Sequence, residues 1–487
     1  MPQKVFVLFI ILQLSALFAF AQEVKLKFPL KEGENFGINP MDSQFKHAVL
    51  PVFSNDERHL LVMASTSGTL KSAYLRKGNL STVRTVESSI PEVRALNQLI
   101  GGFQFDSLKY IAIFNNKKED SFSAFEIDLT NDTITSTDFS LRLDGERFLH
   151  SFATSDKYYI MTVVARSSTI KIYKVFKSQR GTISLSAYAY DFSKSEQDNT
   201  LPNLYKELLE FTIRGNQRLI KTPVNTPVSL NAAGSNFKLY TSSEKVILTM
   251  DHVHGRTSVY EMFLDSNLKS FQLLYYPQYV TENPYLYTSN SILKGDSLIQ
   301  MAIGKEEIAI FLQDRTSEEI ISEYNFSTAS LDSMAFQLIY RDESVVKRKA
   351  KTFSGIFKEI YKNQPAVVLN KMDEEEINLT VGTSRPTGKV VNYQTEEFID
   401  FRQSQSNNLS AFSMKIASGE SVNEEVSEQH SRYKNLIDYR NKNEIEEPLL
   451  ESLVATNTFF YYCWYSVYSS ELVIRKIPIN IERPSYK

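Results

Sequence analysis

Two histidines and an aspartate lie close together in the segment Asp251-His252-Val253-His254. Two imidazoles at positions i and i+2 share one face of a β-strand, and with a carboxylate they could bind zinc or iron. The segment follows an apolar run and precedes Gly255, so a hairpin turn with solvated or locally hydrogen-bonded side chains is the alternative. Spacing alone names no third ligand. We predict no bound cofactor and keep Asp251, His252 and His254 as candidate metal ligands.

Other residue types that could do chemistry lack a supporting pattern. The sequence has no Gly-x-Ser-x-Gly elbow, no Gly-x-Gly-x-x-Gly loop and no glycine-rich phosphate loop followed by Lys-Ser or Lys-Thr. Cys463 stands in the apolar run Phe-Phe-Tyr-Tyr-Cys-Trp-Tyr, which predicts a buried and unreactive thiol. The carboxylates of Asp373 to Glu376 are typical of a solvated turn rather than of an acid/base pair. No catalytic residue is assigned.

A basic segment, Lys347 to Lys351, precedes a stretch with apolar residues at helical spacing, Phe353 to Tyr361. Such a segment could lie on an anionic membrane surface or on a partner. Alternatively its apolar face docks on the fold while the lysines stay in water. We favour docking, because an inserted helix usually needs a core contact to be stable.

The bulk composition excludes some classes of partner. The 487 residues contain 54 basic and 57 acidic side chains, a net charge of -3, so no global field points to nucleic acid or to an anionic membrane. The single cysteine cannot form an intramolecular disulfide. Stability must come from core burial, for which 42% hydrophobic and 12% aromatic residues provide the material.

The first 21 residues have the pattern of a signal peptide. Lys4 precedes an apolar stretch from Val5 to Phe20, and Ala19-Phe20-Ala21 fits a cleavage site, so we expect a mature chain from Gln22. A retained membrane anchor is the alternative. No later run is long and apolar enough to span a bilayer, and Cys463 is far from the position that a lipoprotein anchor requires. We expect export to the periplasm, the outer envelope or the medium.

Hairpin-like units recur along the rest of the chain. The segment from Phe105 to Leu129 contains an apolar strand, a polar break and a second strand, and polar turns ahead of similar strands recur at regular intervals. The first three turns are 50 residues apart and the fourth and fifth are 52 apart. Seven such turns are found, at Asp56, Asp106, Asp156, Glu244, Asp296, Glu375 and Asn457.

Three longer intervals carry segments of helical spacing. They predict insertions near 193–230, 328–368 and 418–450 within a single domain of residues 22–487. A repeat of roughly 40 to 50 residues with about four short antiparallel strands is typical of a β-propeller blade. The sequence thus predicts an all-β fold, a seven-bladed β-propeller with short helical insertions. Six or eight blades, or two β-sandwich domains, remain alternatives. Glu23 to Phe28, beside Glu471 to Ile479, would complete the last blade.

The chain resembles exported bacterial β-propeller proteins without an assigned function, and that resemblance covers fold and compartment only. Two functions from different classes follow as hypotheses. The first is a binding or scaffold protein of the bacterial envelope that engages a protein or peptide partner. The second is a hydrolase or lyase acting on glycans or peptides, with its site at the propeller axis. No nucleic-acid partner and no stable membrane span after cleavage are expected, and the oligomeric state is open.

Overall fold

The structure is a computed structural model. It describes residues 23–27, 48–66, 69–89, 98–116, 118–154, 156–194, 203–209, 219–222, 230–251, 256–264, 270–277, 287–332, 338–341, 353–363, 365–372, 377–386, 407–415, 433, 435–436, 438–440, 442–443, 451–456, 458–466 and 471–479. Within these ranges, strands form seven sheets, and the helices are short.

The first described strand, β1 (Glu23–Lys27), joins the sheet formed by the last three strands of the chain. Sheets 1 to 3 are antiparallel meanders whose strands pair in chain order. Sheet 1 contains β2 (Ala48–Phe53), β3 (His59–Thr66), β4 (Thr69–Arg76) and β5 (Thr82–Ser89). Sheet 2 contains β6 (Gln98–Asp106), β7 (Lys109–Asn115), β8 (Ser121–Asp128) and β9 (Thr133–Arg142). Sheet 3 contains β10 (Glu146–Ala153), β11 (Lys157–Val164), β12 (Thr169–Lys177) and β13 (Ile183–Asp191).

Sheets 4 and 5 follow a 3-10 turn, Phe192–Lys194, and helix α1 (Leu204–Leu209). Sheet 4 has an extra strand, because β14 (Ile220–Lys221) pairs in parallel with β15 (Phe237–Thr241) after the short helix α2 (Leu230–Ala233). It continues with β16 (Lys245–Met250), β17 (Arg256–Phe263) and β18 (Phe271–Pro277). Sheet 5 contains β19 (Thr288–Lys294), β20 (Ser297–Ile303), β21 (Glu307–Asp314) and β22 (Ile320–Ser327).

Sheets 6 and 7 each take their outermost strand from elsewhere in the chain. Helix α3 (Thr328–Asp332), β23 (Leu338–Arg341) and helix α4 (Phe353–Lys362) precede β24 (Pro365–Met372), β25 (Ile377–Pro386) and β26 (Asn407–Lys415). β23 pairs with the last of these three strands. Sheet 7 contains β27 (Glu451–Ala455), β28 (Phe459–Ser466) and β29 (Glu471–Pro478). As predicted, β1 pairs with β29, with Glu23 opposite Arg475 and Lys27 opposite Glu471.

The inner strands are buried on both faces, and each face packs on a different neighbour. In β3, Leu60 and Val62 belong to the apolar cluster shared with sheet 7, while Leu61 and Met63 belong to the cluster shared with sheet 2. This division follows from the alternation of side chains along a strand. Similar clusters join sheet 2 to 3, sheet 3 to 4 and sheet 5 to 6.

Seven consecutive sheets, most of them packed on neighbours through both faces, form a seven-bladed β-propeller rather than two β-sandwiches. The predicted blade count of seven is confirmed. The five predicted turns that lie in the described ranges, at Asp56, Asp106, Asp156, Glu244 and Asp296, all occur where the first two antiparallel strands of a sheet are joined. The predicted units therefore began one strand late, because first strands such as Ala48–Phe53 are short apolar runs with no period of their own.

The predicted helical segments dock on the sheets by their apolar faces. Leu204 and Leu208 of α1 lie in the core between sheets 3 and 4. Ile356 and Phe357 of α4 lie in the core between sheets 5 and 6, which confirms the docking interpretation of Phe353 to Tyr361. The basic segment 347–351 and residues 1–22 lie outside the described ranges, so the membrane-surface alternative and the signal peptide stay predictions. Among the helices that are described, none is long and apolar enough to cross a membrane.

The junction between sheets 2 and 3 depends on a glycine. A Cβ placed on Gly101 would lie 2.2 Å from the Tyr158 side chain, whose hydroxyl donates to the carbonyl oxygen of Ile100 at 3.0 Å. We expect Gly101→Ala to lower the free energy of unfolding by roughly 1–3 kcal/mol through overpacking. Urea denaturation measures this effect. Gly78→Ala is the matched control, because Gly78 has open space around it. Equal stability of the two variants would contradict the prediction.

Candidate functional site

Asp251 lies at the end of β16, and both of its carboxylate oxygens accept hydrogen bonds. Oδ1 accepts from the Thr257 hydroxyl at 2.7 Å. Oδ2 accepts from the backbone N–H and the hydroxyl of Ser291 at 3.0 and 2.9 Å. Ser291 belongs to β19, so these bonds tie the second strand of sheet 4 to the first strand of sheet 5.

Lys238 of β15 completes this cluster from within the protein. Its Nζ lies 3.3 Å from Asp251 Oδ2 and 3.2 Å from Asn290 Oδ1, and its side chain is fully buried. Burial lowers the pKa of Lys238, whereas the neighbouring carboxylate of Asp251 opposes that shift. Asp251 thus supplies the counter-charge without which this ammonium group could not be buried at acceptable cost.

The hydrogen-bond network extends further into sheet 5. Gln300 of β20 donates from Nε2 to the Thr257 hydroxyl at 3.0 Å and to the carbonyl oxygen of Tyr276 at 3.1 Å. Strands β15, β16, β17 and β18 of sheet 4 are all connected in this way to sheet 5.

A second buried ion network lies at the same junction. Arg315, which follows β21, is hydrogen-bonded to Glu261 of β17. Its Nη2 also lies 3.0 Å from the carbonyl oxygen of Gly295 and 3.3 Å from Asp296 Oδ1. The Tyr276 hydroxyl donates to the carbonyl oxygen of Arg315 at 3.3 Å.

Apolar packing is reduced where these networks lie. Within the described ranges, the cluster between sheets 4 and 5 has six buried residues, against nineteen in the cluster between sheets 3 and 4. We call the two networks together the polar seam; its members are Lys238, Asp251, Thr257, Glu261, Asn290, Ser291, Asp296, Gln300 and Arg315.

The buried charges of the polar seam are paired with one another, Lys238 with Asp251 and Arg315 with Glu261. A metal ion bound by Asp251 would have to displace the Lys238 ammonium, which already occupies the cation position beside Oδ2. No group of three or more His, Cys, Asp or Glu side chains suited to a metal is found among the described residues. His252 and His254 lie outside those residues, so the metal hypothesis for the three candidates stays a prediction.

The insertion that follows sheet 3 occupies the inner edge of sheet 4. β14 pairs with β15 on the side away from β16, and the Thr222 backbone N–H donates to the carbonyl oxygen of Leu239 at 2.7 Å. Helix α2 then contacts β24 and β25, and its residues Leu230 and Ala233 join the core of sheets 5 and 6. Because first strands surround the axis of a propeller, this insertion places its own chain at the inner edges.

The remaining sequence candidates are separate from the polar seam. Cys463 is buried in the junction between sheets 7 and 1, and burial raises the pKa of its thiol to about 12. The prediction that the Cys463 thiol is buried is therefore confirmed. The acidic turn 373–376 lies outside the described residues.

Sequence reasoning missed Lys238, Asn290 and Ser291. Lys238 stands among apolar neighbours in Phe237-Lys238-Leu239, and a lysine inside a strand with this composition was the available signal. Its partner Asn290 is 52 residues away, at the polar start of another strand. The hydrophobic periodicity of a single strand cannot show that two positions in different sheets are in contact.

Comparisons with known proteins identify no family for this chain. No model of a known protein family matches the chain, and no curated protein matches it. The solved Dos1 propeller is 10% identical at a TM-score of 0.29, covering 56% of this chain and 59% of that one. The dihydro-heme d1 dehydrogenase NirN is 10% identical at a TM-score of 0.30, covering 94% of this chain and 78% of that one. An oligogalacturonate lyase from Vibrio parahaemolyticus is 10% identical at a TM-score of 0.30, covering 96% of this chain and 98% of that one. Nothing in these names transfers to this chain.

The Lys238–Asp251 pair should be strongly coupled. We expect Lys238→Met or Asp251→Asn alone to lower the free energy of unfolding by roughly 3–5 kcal/mol, because each leaves a buried charge without its partner. The double variant should lose clearly less than the sum of the two. Urea denaturation of the four proteins gives the coupling energy. Glu57→Gln, in the exposed pair with Lys77, should change stability by less than about 1 kcal/mol. Additive losses at Lys238 and Asp251 would contradict the assignment.

The Cys463 thiol should react only when the protein unfolds. With a pKa of about 12, almost no thiolate is present at pH 8, and the side chain is inaccessible. We expect an Ellman reagent to label the native protein no faster than the global unfolding rate, and to label the urea-unfolded protein at once. Rapid stoichiometric labelling under native conditions would contradict the buried position.

Proposed function

We propose that this protein is an exported binding scaffold of the bacterial envelope, which engages a protein or peptide partner through the outside of its propeller. The observation that carries this proposal is the occupation of the inner edge of sheet 4 by β14, together with the contact of α2 with sheet 6. Both elements come from the insertion between sheets 3 and 4. Because the chain itself pairs the inner edge of sheet 4, we place recognition on the outer surface.

The chemistry of the polar seam supports binding over catalysis. A catalytic site needs a concave pocket into which a few polar groups converge with free hydrogen-bonding capacity. Here the Asp251 carboxylate accepts from three side chains and one backbone N–H, and Arg315 is paired with Glu261. These charges hold two sheets together. A substrate would have to break these ion pairs before it could use the carboxylates of Asp251 and Glu261.

The helical insertions support the same proposal, because they are fixed to the propeller. Ile356, Phe357 and Ile360 anchor α4 in the core, while Lys358 and Lys362 on the same helix are exposed. Near sheet 7, Tyr433 and Leu436 are buried against Trp464. Rigidly held elements with exposed polar faces suit recognition, since little conformational freedom is lost when a partner binds.

Capture by the immobilised mature chain from envelope extract tests the proposal. We expect a saturable, stoichiometric protein or peptide partner. Removing residues 345–362 would also remove three core side chains, so charge reversal by Lys358→Glu with Lys362→Glu is the better probe of α4. Arg180→Glu, exposed in the turn between β12 and β13, is the matched control.

Failure of the wild-type chain to retain any saturable partner would contradict the scaffold proposal. A thermal shift of the purified protein with one glycan or peptide pool, followed by turnover of that pool, would support the hydrolase or lyase alternative instead. Retention that is unchanged by both α4 substitutions would place the partner elsewhere on the outer surface.

A further inference from the structure

Strand β22 is the outermost strand of sheet 5, and the strand and the turn before it carry exposed acidic side chains. Within the described ranges it pairs with β21 only. From Thr316 to Ser327 the sequence contains Glu318, Glu319 and Glu323 but no lysine or arginine. All three carboxylate-bearing residues are exposed. Natural edge strands are commonly protected from pairing by lysine, proline or a β-bulge. β22 has no lysine or proline, and its one register shift lies at its start.

Two apolar side chains are exposed at the start of this edge. Ile320 is 38% exposed and Ile321 is 54% exposed, and they are adjacent in the chain. The register shifts at this point, because Leu312 pairs with Ser322 and Gln313 pairs with Ile320. Ile321 is therefore the extra residue of a β-bulge. By contrast, the other large exposed apolar side chains of the described residues, Val83 and Leu185, stand singly on β5 and β13.

The remainder of β22 is held firmly in place. Tyr324 and Phe326 pack against the core of sheets 5 and 6, to which α4 also contributes. Past the bulge, the strand keeps regular antiparallel pairing from Ser322 to Ser327. Alternate backbone N–H and C=O groups of an outermost strand point away from its sheet. The edge is thus an ordered template that loses little entropy when another strand pairs with it.

We propose that β22 binds an extended peptide segment of a partner protein, which adds a fifth strand to sheet 5 and presents alternating basic and apolar side chains. This inference rests on the scaffold function proposed above and names the surface and the partner's chemistry. Backbone hydrogen bonds supply the affinity in this mode of recognition, and side-chain contacts supply the specificity. Glu318, Glu319 and Glu323 favour lysine or arginine, and Ile320 with Ile321 favours an apolar residue.

Charge selects a foreign peptide over a second copy of the same edge. Two β22 strands in edge-to-edge contact would bring exposed glutamates close to glutamates, and like charges on paired strands are destabilising. A basic strand turns the same carboxylates into attractive partners. Exposed pairs of this kind are weakened by salt, so the binding should decline as ionic strength rises.

A labelled peptide tests the inference on the full mature chain. The probe alternates lysine and valine over about eight residues, the length of β22. Fluorescence anisotropy should detect saturable binding at low salt, and a peptide that alternates glutamate and valine should not bind. Ile321→Lys and Glu323→Lys should each raise the Kd of the lysine–valine peptide roughly tenfold or more. Val83→Lys, on the outermost strand of sheet 1 and 42% exposed in the native chain, should leave that Kd unchanged.

The inference is overturned if the lysine–valine peptide does not bind, or if Ile321→Lys and Glu323→Lys bind it as the native chain does. Equal weakening by Val83→Lys also overturns it, because the attraction would then be general. A dimer that sedimentation shows to be dissociated by Ile321→Lys assigns the edge to a second copy and overturns the proposal as well.

If both β22 variants still capture the envelope partner, the edge assignment fails while the scaffold function stands. If the native chain captures nothing, the scaffold function fails.

Discussion

Most of the described sheets are apolar on both faces, and much of the structure follows from the need to cover both. β3 sends Leu60 and Val62 towards sheet 7, and Leu61 and Met63 towards sheet 2. A strand of this kind cannot border water on either side without exposing several large side chains, each costing roughly 1.5–3 kcal/mol. Helices can therefore be inserted only where they add apolar cover, as α1 and α4 do.

The junction between sheets 4 and 5 solves the same problem with charge. Buried ion pairs add little net stability over apolar packing of equal volume, but they tolerate few alternative arrangements. Lys238 must meet Asp251 and Asn290 together, which fixes β15, β16 and β19 relative to one another. The polar seam thereby fixes the chain at Asp251, directly after β16. The same residue that suggested metal chemistry in the sequence has, in the fold, a clear role in joining two sheets.

The sequence predicted the features that repeat and missed the ones that occur once. Polar turns such as that at Asp106 are visible because a hairpin needs polar residues between two apolar strands. Strands of two and four residues, β14 and β23, are too short to show a period, and both lie inside predicted insertions. The Lys238–Asn290 contact joins two sheets. No local sequence pattern indicates a partner 52 residues away, so the polar seam could be found only in the three-dimensional structure.

Three sheets of this propeller take an edge strand from elsewhere in the chain. β14 covers the inner edge of sheet 4, β23 provides the outer strand of sheet 6, and β1 provides that of sheet 7. At each of these sites the chain uses its own backbone to satisfy groups that an edge would leave unpaired. Sheet 5 receives no added strand within the described residues, and its last strand carries acidic and apolar side chains instead. Within the described residues β5, β9, β13, β18 and β22 are all outermost strands, and among them β22 alone exposes two adjacent large apolar side chains, beside glutamates.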